Sequence, residues 1–335
     1  MVCLLLLVQA GATGIRQAAA PTPAPVASCQ TTFRVGFVTD VAGTQSSVDI
    51  EGWRGVTQAL RDLPCARAER IVPGRPSEYR RNLQAAVDHH DDLVIAGSFL
   101  LTAAVVDAAR SNPATHFLLV DPIVVPAELP NLSALSFRED QAAFLAGALA
   151  GMVTRTGIVA GVYGPGGAAD QANRSGFEHG AQYVRPGLRI LGAYQPASEG
   201  APYANTAWGA AEARVFLGQG ADIIFGAGGT TGVGALLATA QAARLCIGAD
   251  TDSADDPAVA ACLLGTTVRF IDLGVKLAVA DAAASGWTAG VHSLGIAQGG
   301  VGLRSTSNAG LTPEVQQRLQ LIARLLADGA LTTHA

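Results

Sequence analysis

Residues 220–232, with the sequence GADIIFGAGGTTG, decide the fold class of this chain. Residues 222–225 end in three bulky apolar side chains, which is typical of a buried strand, and a glycine-rich turn follows them. The alanine-rich stretch at residues 232–242 then predicts a helix. A strand that leads through glycines into a helix is the repeating unit of a parallel sheet covered by helices.

The same alternation extends in both directions from this stretch. Predicted strands cover residues 33–39, 67–72, 93–96, 116–121, 132–137, 157–163, 189–193, 222–225, 245–248, 262–268, 291–296 and 301–303. Predicted helices cover residues 48–62, 77–89, 102–110, 139–154, 171–184, 208–218, 232–242, 272–284 and 313–328. The chain is therefore predicted to have an α/β fold built from two similar halves.

These halves predict two Rossmann-like lobes that are joined by several crossover strands. We assign residues 31–137 and 262–288 to the N-terminal lobe, and residues 138–261 and 289–335 to the C-terminal lobe. Loops converge at the carboxyl ends of the strands in open α/β sheets, so we expect the ligand in the cleft between the lobes.

Composition and charge argue against several classes of protein. Apolar residues make up 49% of the 335 residues and charged residues only 15%, so the chain can bury two substantial cores. The net charge of −5, without any basic cluster, argues against nucleic-acid binding. The six histidines follow no metal-ligand or catalytic-triad spacing, and there is no G-x-S-x-G motif. We therefore expect no enzymatic activity, cofactor or metal.

Residues 1–30 predict a signal peptide followed by a tether. Residues 2–8 form an apolar run that is too short to span a bilayer and resembles the core of a secretion signal. A spacer rich in proline and alanine follows at residues 18–28. We therefore expect an extracytoplasmic protein, in the periplasm or at the cell surface.

The cysteines leave two alternatives open at Cys29. Residues 26–29, Val-Ala-Ser-Cys, resemble a lipobox, which would anchor the chain in the membrane through a lipid on Cys29. The alternative is a disulfide with Cys65, because both cysteines are predicted at the same end of one sheet. Cys246 and Cys262 are candidates for a second disulfide if their two strands are neighbours.

Several segments resemble the basic membrane protein family of substrate-binding proteins, in particular its purine-nucleoside receptor lipoproteins. The resemblance spans residues 33–305 and is carried, in order, by VGFVTD at 35–40, GWRG at 52–55, DLVIAGSF at 92–99, FREDQAAFLAGALAG at 137–151 and GADIIFGAGGT at 220–230. It implies the fold of a type I periplasmic binding protein. It also implies a monomer that delivers a purine nucleoside to an ABC permease in the membrane.

The resemblance also implies ligand-binding positions. Asp121 ends a predicted strand, where its carboxylate would accept hydrogen bonds from a purine edge, with capping of the turn at Pro122 as the alternative. Asp250 follows a strand and resembles the acid that holds ribose hydroxyls. Trp208 matches the aromatic residue of the second lobe, with packing against its own lobe as the alternative. Arg269 stands where the family has a lysine, and its forked donors suit the ribose or a carboxylate. Phe99 closes the segment that resembles the third strand and its loop.

The first ligand loop departs from the family pattern. Residues 44–49 are one residue shorter than usual, with Val48 in place of a stacking phenylalanine and Asp49 in place of an asparagine. An acid at Asp49 would favour ligand groups that donate hydrogen bonds. Asp40, at the end of the first strand, is expected to contact the ligand or to orient the backbone of this loop.

Two alternatives to a nucleoside receptor remain open. Gly226 and Gly228 lie between a strand and a helix, and Asp250 ends the next strand, as in part of a dinucleotide-binding fingerprint. The third glycine comes one position late for that motif, and we expect Gly228 instead to let backbone amides approach the ligand. Because one aromatic face of the clamp is missing, a free base, a sugar or another small polar ligand is the second alternative.

Overall fold

A computed structural model describes residues 32–43, 46–122, 129–250, 257–306 and 310–334. Its strands are β1 (Phe33–Val38), β2 (Ala66–Ile71), β3 (Leu93–Ala96), β4 (His116–Val120), β5 (Leu132–Phe137), β6 (Ile158–Tyr163), β7 (Arg189–Tyr194), β8 (Ile223–Gly226), β9 (Leu245–Ala249), β10 (Leu263–Arg269), β11 (Gly290–Leu294) and β12 (Val301–Ser305). Its α-helices are α1 (Ser47–Asp62), α2 (Tyr79–Asp88), α3 (Thr102–Ser111), α4 (Glu139–Val153), α5 (Ala168–Val184), α6 (Thr206–Gly218), α7 (Gly229–Gln241), α8 (Ile271–Ala283) and α9 (Pro313–Ala327). Every predicted strand and helix is present, with ends that differ by a few residues.

The strands form two six-stranded sheets with matching orders. The first sheet runs β11-β5-β4-β3-β1-β2, and the second runs β12-β10-β9-β8-β6-β7. Within the described residues the strand pairs are parallel, except that β12 is antiparallel to β10. The prediction of two similar α/β halves is confirmed. Because the orders match, β1 is equivalent to β6, β3 to β8 and β4 to β9 in the two lobes.

Two strands lie in the opposite sheet from the one that the predicted lobe boundaries imply. We had assigned residues 262–288 to the first lobe, but β10 pairs with β9 and β12 in the second sheet. We had assigned residues 289–335 to the second lobe, but β11 pairs with β5 in the first sheet. The chain crosses between lobes after β10, so that α8 packs on α1, and it crosses back after β11. A fully buried apolar strand fits either sheet, so composition does not reveal which one it joins.

Each sheet is covered by apolar clusters on both faces. In the first lobe, one cluster joins the sheet to α2 and α3, and the other joins it to α1 and α8. In the second lobe, one cluster joins the sheet to α4, α5 and α9, and the other joins it to α6 and α7. This three-layer packing leaves the strand ends and their loops to form the sites at which polar side chains meet.

Helices α4 and α5 pack at unusually short range because a glycine faces the partner backbone. A Cβ on Gly147 would stand 1.9 Å from the carbonyl oxygen of Phe177, which no side chain permits. This contact explains the glycine in the segment FLAGALAG at residues 144–151, and α4 also contacts β10 and β12 of the second sheet.

Cys246 and Cys262 form a disulfide, with their Cα atoms 5.2 Å apart. Their backbones are also hydrogen-bonded, since Cys246 N–H donates to the carbonyl oxygen of Cys262. The predicted Cys29–Cys65 bridge and the predicted signal peptide lie outside the described residues, because Cys29 does. Within the part of the chain that the structure covers, no helix has the length and apolar character needed to span a bilayer.

Candidate ligand-binding site

Asp121 and Asp250 occupy equivalent positions at the carboxyl ends of β4 and β9. Both backbones are left-handed, with φ of 56° and 65°, which is uncommon for a residue with a side chain. Each is fixed by the neighbouring strand, because Asp121 N–H donates to Leu135 and Asp250 N–H donates to Thr267. At each of these two residues the left-handed backbone turns the chain sharply as the strand ends. Strained non-glycine residues of this kind are concentrated at functional sites.

The side chain of Arg269, at the end of β10, joins these two acids across the lobes. Its Nη1 lies 2.9 Å from Asp121 Oδ2 and 3.1 Å from Glu139 Oε1, and its Nε lies 3.0 Å from Asp250 Oδ1. Only 14% of the Arg269 side chain and 12% of the Glu139 side chain are exposed, so water screens this pair least; the side chains of Asp121 and Asp250 are 31% and 43% exposed. The structure therefore brings together the predicted residues Asp121, Asp250 and Arg269, with Arg269 paired to carboxylates from both sheets.

Electrostatics in this cluster favour a charged arginine and a partly protonated Glu139. Burial opposes the charge of Arg269, but the carboxylates of Asp250, Asp121 and Glu139 raise its pKa well above the ordinary value. Burial raises the pKa of Glu139 to about 7; Arg269 opposes this rise, while the negative charges of Asp121 and Asp250 add to it. Glu139 was not predicted as a site residue. It is the first residue of α4, and its side chain is only 12% exposed beside Arg269.

Asp40 and Asp49 support the backbone of the first ligand loop. Asp40 Oδ1 accepts hydrogen bonds from the backbone N–H groups of Ala42 and Gly43, at 2.7 and 3.3 Å. Asp49 Oδ2 accepts one from Asp40 N–H, at 3.2 Å. Asp49 is only 1% exposed, and burial, followed by the negative charge of Asp40, raises its pKa to about 8. At neutral pH the Asp49 carboxyl group is therefore mainly protonated.

The second lobe repeats this arrangement with Asp170. Asp170 is the third residue of α5, as Asp49 is the third residue of α1. Its carboxylate accepts hydrogen bonds from the N–H groups of Gly164, Gly166 and Gly167, at 3.0–3.1 Å, in the loop that follows β6. In both α1 and α5, an acid in the first turn of the helix therefore accepts hydrogen bonds from the loop that precedes the helix. This equivalence assigns to Asp49 a role in loop geometry.

An aromatic residue that sequence reasoning missed, Tyr203, stands beside the second-lobe loop. Its hydroxyl donates to Asp170 Oδ2 at 3.0 Å, its backbone φ is 61°, and 37% of the residue is exposed. Burial, then the negative charges of Asp170, Glu139 and Asp121, raises the pKa of Tyr203 above its ordinary value. Tyr203 is thus within electrostatic range of the Arg269 cluster. Because Tyr203 lies outside any helix or strand, two residues before the cap of α6, the sequence pattern did not indicate it.

Trp208, the predicted aromatic contact, packs partly buried against an apolar cluster of its own lobe. Its backbone N–H donates to Asn205 Oδ1, which caps α6. The alternative given for Trp208 from the sequence, packing against its own lobe, therefore describes its position. Phe99 lies in a short 3₁₀ turn after β3 and is 36% exposed.

Gly228 lets the loop after β8 lie against the loop after β6. Its φ is 132°, and a Cβ there would stand 2.3 Å from the backbone nitrogen of Gly164. The next residue, Gly229, packs in the same way against the backbone of Tyr203. These glycines therefore position Tyr203 and the loop held by Asp170. A direct contact of Gly228 with ligand stays a prediction.

The region around Arg269 is rich in hydrogen-bond acceptors. Three carboxylates share one guanidinium, and Glu51, which is also buried, lines a small pocket with Ser47, Asp250 and Arg269. In the described residues no group of histidines, cysteines and acids is arranged to hold a metal ion. The two lobes, with polar side chains from both meeting at their strand ends, define a solute-binding protein of the type I periplasmic class.

The chain belongs to a known family of such proteins. A family model described as ABC transporter substrate-binding protein, PnrA-like, and called Bmp, matches residues 35–324. The protein is therefore an ABC transporter substrate-binding protein, and its family and fold are those of solute-binding proteins rather than enzymes.

The chain is also similar to several individual proteins. The CD4+ T-cell-stimulating antigen of Listeria monocytogenes is 24% identical over 320 residues, which cover 89% of this chain and 87% of that protein. The ABC transporter nucleoside-binding protein BmpA of Lactococcus lactis is 23% identical over 209 residues, which cover 61% of this chain and 58% of that protein. A solved solute-binding protein of an ABC transporter system from Aeropyrum pernix superposes with a TM-score of 0.69 at 20% identity, covering 90% of this chain and 92% of that chain.

Proposed function

We propose that this protein binds a purine nucleoside in the cleft between its lobes and delivers it to an ABC permease. One observation carries the proposal. The equivalent strand-end acids of the two lobes, Asp121 and Asp250, converge on Arg269 from opposite sheets. The printed name of the Lactococcus lactis relative, a nucleoside-binding protein, supports the ligand class.

The charges of the cluster suit a neutral ligand with many hydrogen-bond donors. Three carboxylates face one guanidinium, so acceptor oxygens outnumber the donors that Arg269 supplies. Ribose hydroxyls and exocyclic amines donate hydrogen bonds to such oxygens. A phosphate would meet an excess of negative charge, and we therefore expect nucleosides to bind better than nucleotides.

Tyr203 is proposed as the aromatic platform of the second lobe. Its ring is partly exposed beside the Arg269 cluster, while its hydroxyl is held by Asp170. Stacking of a base on an aromatic ring contributes about 1–3 kcal/mol. Val48 replaces the first-lobe aromatic, so we expect the base to be stacked on one face only.

Closure of the lobes is proposed to provide affinity. Arg269 belongs to the second sheet and Asp121 to the first, so their ion pair joins the two lobes. A ligand that bridges Asp121 and Asp250 stabilises the same closed state and is desolvated by it. We propose an extracytoplasmic monomer. Lipid anchoring through Cys29 remains an alternative to a disulfide there, and it lies outside the described residues.

Calorimetric titration tests the ligand class. We expect adenosine, guanosine or inosine to bind, with adenosine 5′-monophosphate, free adenine and ribose much weaker. Asp250→Asn should weaken nucleoside binding about 10- to 100-fold, because hydrogen bonds to a charged group contribute about 1.5–3 kcal/mol. Asp62→Asn, which removes an exposed carboxylate paired with Lys276, is the matched control and should bind normally. If only adenine or only ribose binds, the protein is still a small-molecule receptor, but the proposal that its ligand is a nucleoside is wrong.

A further inference from the structure

Glu139 is a buried acid beside Arg269, and each of its carboxylate oxygens contacts a nitrogen of another element. It starts α4, which packs against β10 and β12 of the second sheet. Its Oε1 lies 3.1 Å from Nη1 of Arg269. Its Oε2 accepts a hydrogen bond from Nδ2 of Asn173 on α5, at 3.3 Å. A proton on Glu139 would remove the charge that attracts Arg269, so this pair is strong only when the acid is ionised.

One nitrogen of Arg269 is shared by acids from both lobes. Besides Glu139 in the second lobe, Nη1 contacts Oδ2 of Asp121, which follows the last residue of β4 in the first lobe, at 2.9 Å. The side chain of Glu139 is 12% exposed and that of Asp121 is 31% exposed, so water weakens the attraction of Asp121 more. Glu139 therefore attracts the guanidinium toward the second lobe, in competition with Asp121.

The charges around Glu139 make this competition sensitive to pH near neutrality. Burial raises the pKa of Glu139 to about 7, while Arg269 opposes the rise. The charged and titratable groups that face Glu139 from other elements are Arg269, Asp121, Asp250, Asp170 and Tyr203. The next acid on its own helix, Asp140, is paired with Arg138 instead. Arg269 is thus the cation that favours the ionised form of Glu139.

We propose, on the basis of the function proposed above, that Glu139 is a positioning residue that holds the guanidinium of Arg269 on the second-lobe side of the cleft, so that nucleoside binding releases a proton from Glu139. A nucleoside that donates a hydrogen bond to Asp121 competes with Nη1 of Arg269 for that carboxylate. When Arg269 gives up Asp121, it pairs with Glu139 instead, and this pairing favours the ionised acid. Nucleoside affinity therefore rises with pH.

The size of the effect follows from proton linkage. A tenfold stronger preference of the bound state for ionised Glu139 makes the affinity about fivefold higher at pH 8 than at pH 6, and it releases about 0.4 proton at pH 7. Asp49, whose pKa is raised to about 8, also titrates in this range. Because Asp49 is present in every protein compared below, differences between these proteins report on Glu139 alone.

Calorimetric titration with a nucleoside at pH 7, in phosphate and in Tris, measures proton release because these buffers differ in their heats of ionisation. We expect Glu139→Gln to release about 0.4 proton less than the wild type, and to lose the fivefold rise in affinity between pH 6 and pH 8. Glu178→Gln is the matched control. It removes an acid of the same lobe that is paired with Arg174, and it should behave like the wild type.

Two results of this titration overturn the proposal. One is equal proton release by the wild type and by Glu139→Gln. The other, which needs no variant and so holds even if Glu139→Gln does not fold, is nucleoside binding by the wild type without release of a proton at pH 7.

A measurement without ligand separates this proposal from the nucleoside proposal. The Nε–H resonance of Arg269, assigned by its loss in Arg269→Lys, is followed between pH 6 and pH 8. We expect it to shift in the wild type as Glu139 titrates, and to shift much less in Glu139→Gln. Equal shifts in both proteins overturn the role of Glu139. If no nucleoside binds the wild type at any pH, the proposed function is wrong, and this resonance alone then supports or overturns the role of Glu139.

Discussion

Replacing Asp49 with asparagine should remove a large part of the pH dependence of stability. Asp49 is 1% exposed, and its pKa rises from 3.8 to about 8 in the folded protein, mainly because of burial. Above pH 4 the unfolded chain loses this proton while the folded chain keeps it. The folded state is therefore stabilised relative to the unfolded state at low pH, and this contribution is lost as the pH rises from about 4 to about 8.

The size of the effect follows from the two pKa values. Where only the unfolded state is ionised, stability falls by about 1.4 kcal/mol for each pH unit. Between pH 5 and pH 7 the wild-type protein therefore loses about 3 kcal/mol through Asp49 alone. Asparagine has no proton to lose, and its side-chain oxygen can still accept the hydrogen bond from Asp40 N–H.

Urea unfolding of the two proteins at pH 5, 6 and 7 measures this difference. We expect Asp49→Asn to gain stability relative to wild type by about 3 kcal/mol across this range. Asp62→Asn removes an exposed carboxylate, and its free energy of unfolding should change with pH in parallel with that of the wild type. Parallel curves for Asp49→Asn would refute the assignment of a buried, protonated Asp49. We also expect this variant to keep the ligand preference of the wild type, contrary to the sequence-based interpretation of Asp49 as a selector of donor groups.

Three further changes have defined expected outcomes. Cys246→Ser should lower stability by about 3 kcal/mol, because it opens a loop closed by residues 16 apart, and reduction of the wild type should lower its melting temperature at least as much as this variant does. The folded pKa of Glu139 is raised to about 7, so Glu139→Gln should reduce the loss of stability between pH 4.5 and about 7. An unchanged slope of the free energy of unfolding against pH, measured by urea titration, would contradict this. Gly228→Ala should cost about 1–3 kcal/mol because its φ is 132°, whereas Gly218→Ala, where a Cβ meets nothing within 4 Å, should be nearly neutral; equal melting temperatures would argue against the strain.

The architecture could be predicted because each element carries its own local signal. Short apolar runs followed by glycine turns specify βα units, and the segment 137–151 combines a helix start with the glycine that permits short-range packing against α5. The allocation of β10 and β11 to their sheets could not be predicted, because strand pairing depends on contacts between distant residues. Nothing in a buried run such as residues 263–268 selects one apolar sheet over another.

The candidate site was predictable in part for the same reason. Asp121 and Asp250 end buried strands, so topology alone places them at the cleft. Tyr203 was missed because its position depends on a left-handed backbone and on the distant acid Asp170. Trp208 was assigned because it matches the second-lobe aromatic residue of the family; it packs partly buried against its own lobe, and its contact with ligand stays a prediction.

Calorimetric titration of Asp121→Asn with the best-binding nucleoside tests the central claim most directly. The account holds that carboxylates from both lobes bind one ligand, and Asp121 is the contribution of the first sheet. We expect the first-lobe variant to weaken binding about 10-fold or more, as the second-lobe variant Asp250→Asn does. Wild-type affinity in Asp121→Asn, with loss in Asp250→Asn alone, would place the ligand on one lobe and contradict a cleft that closes around it.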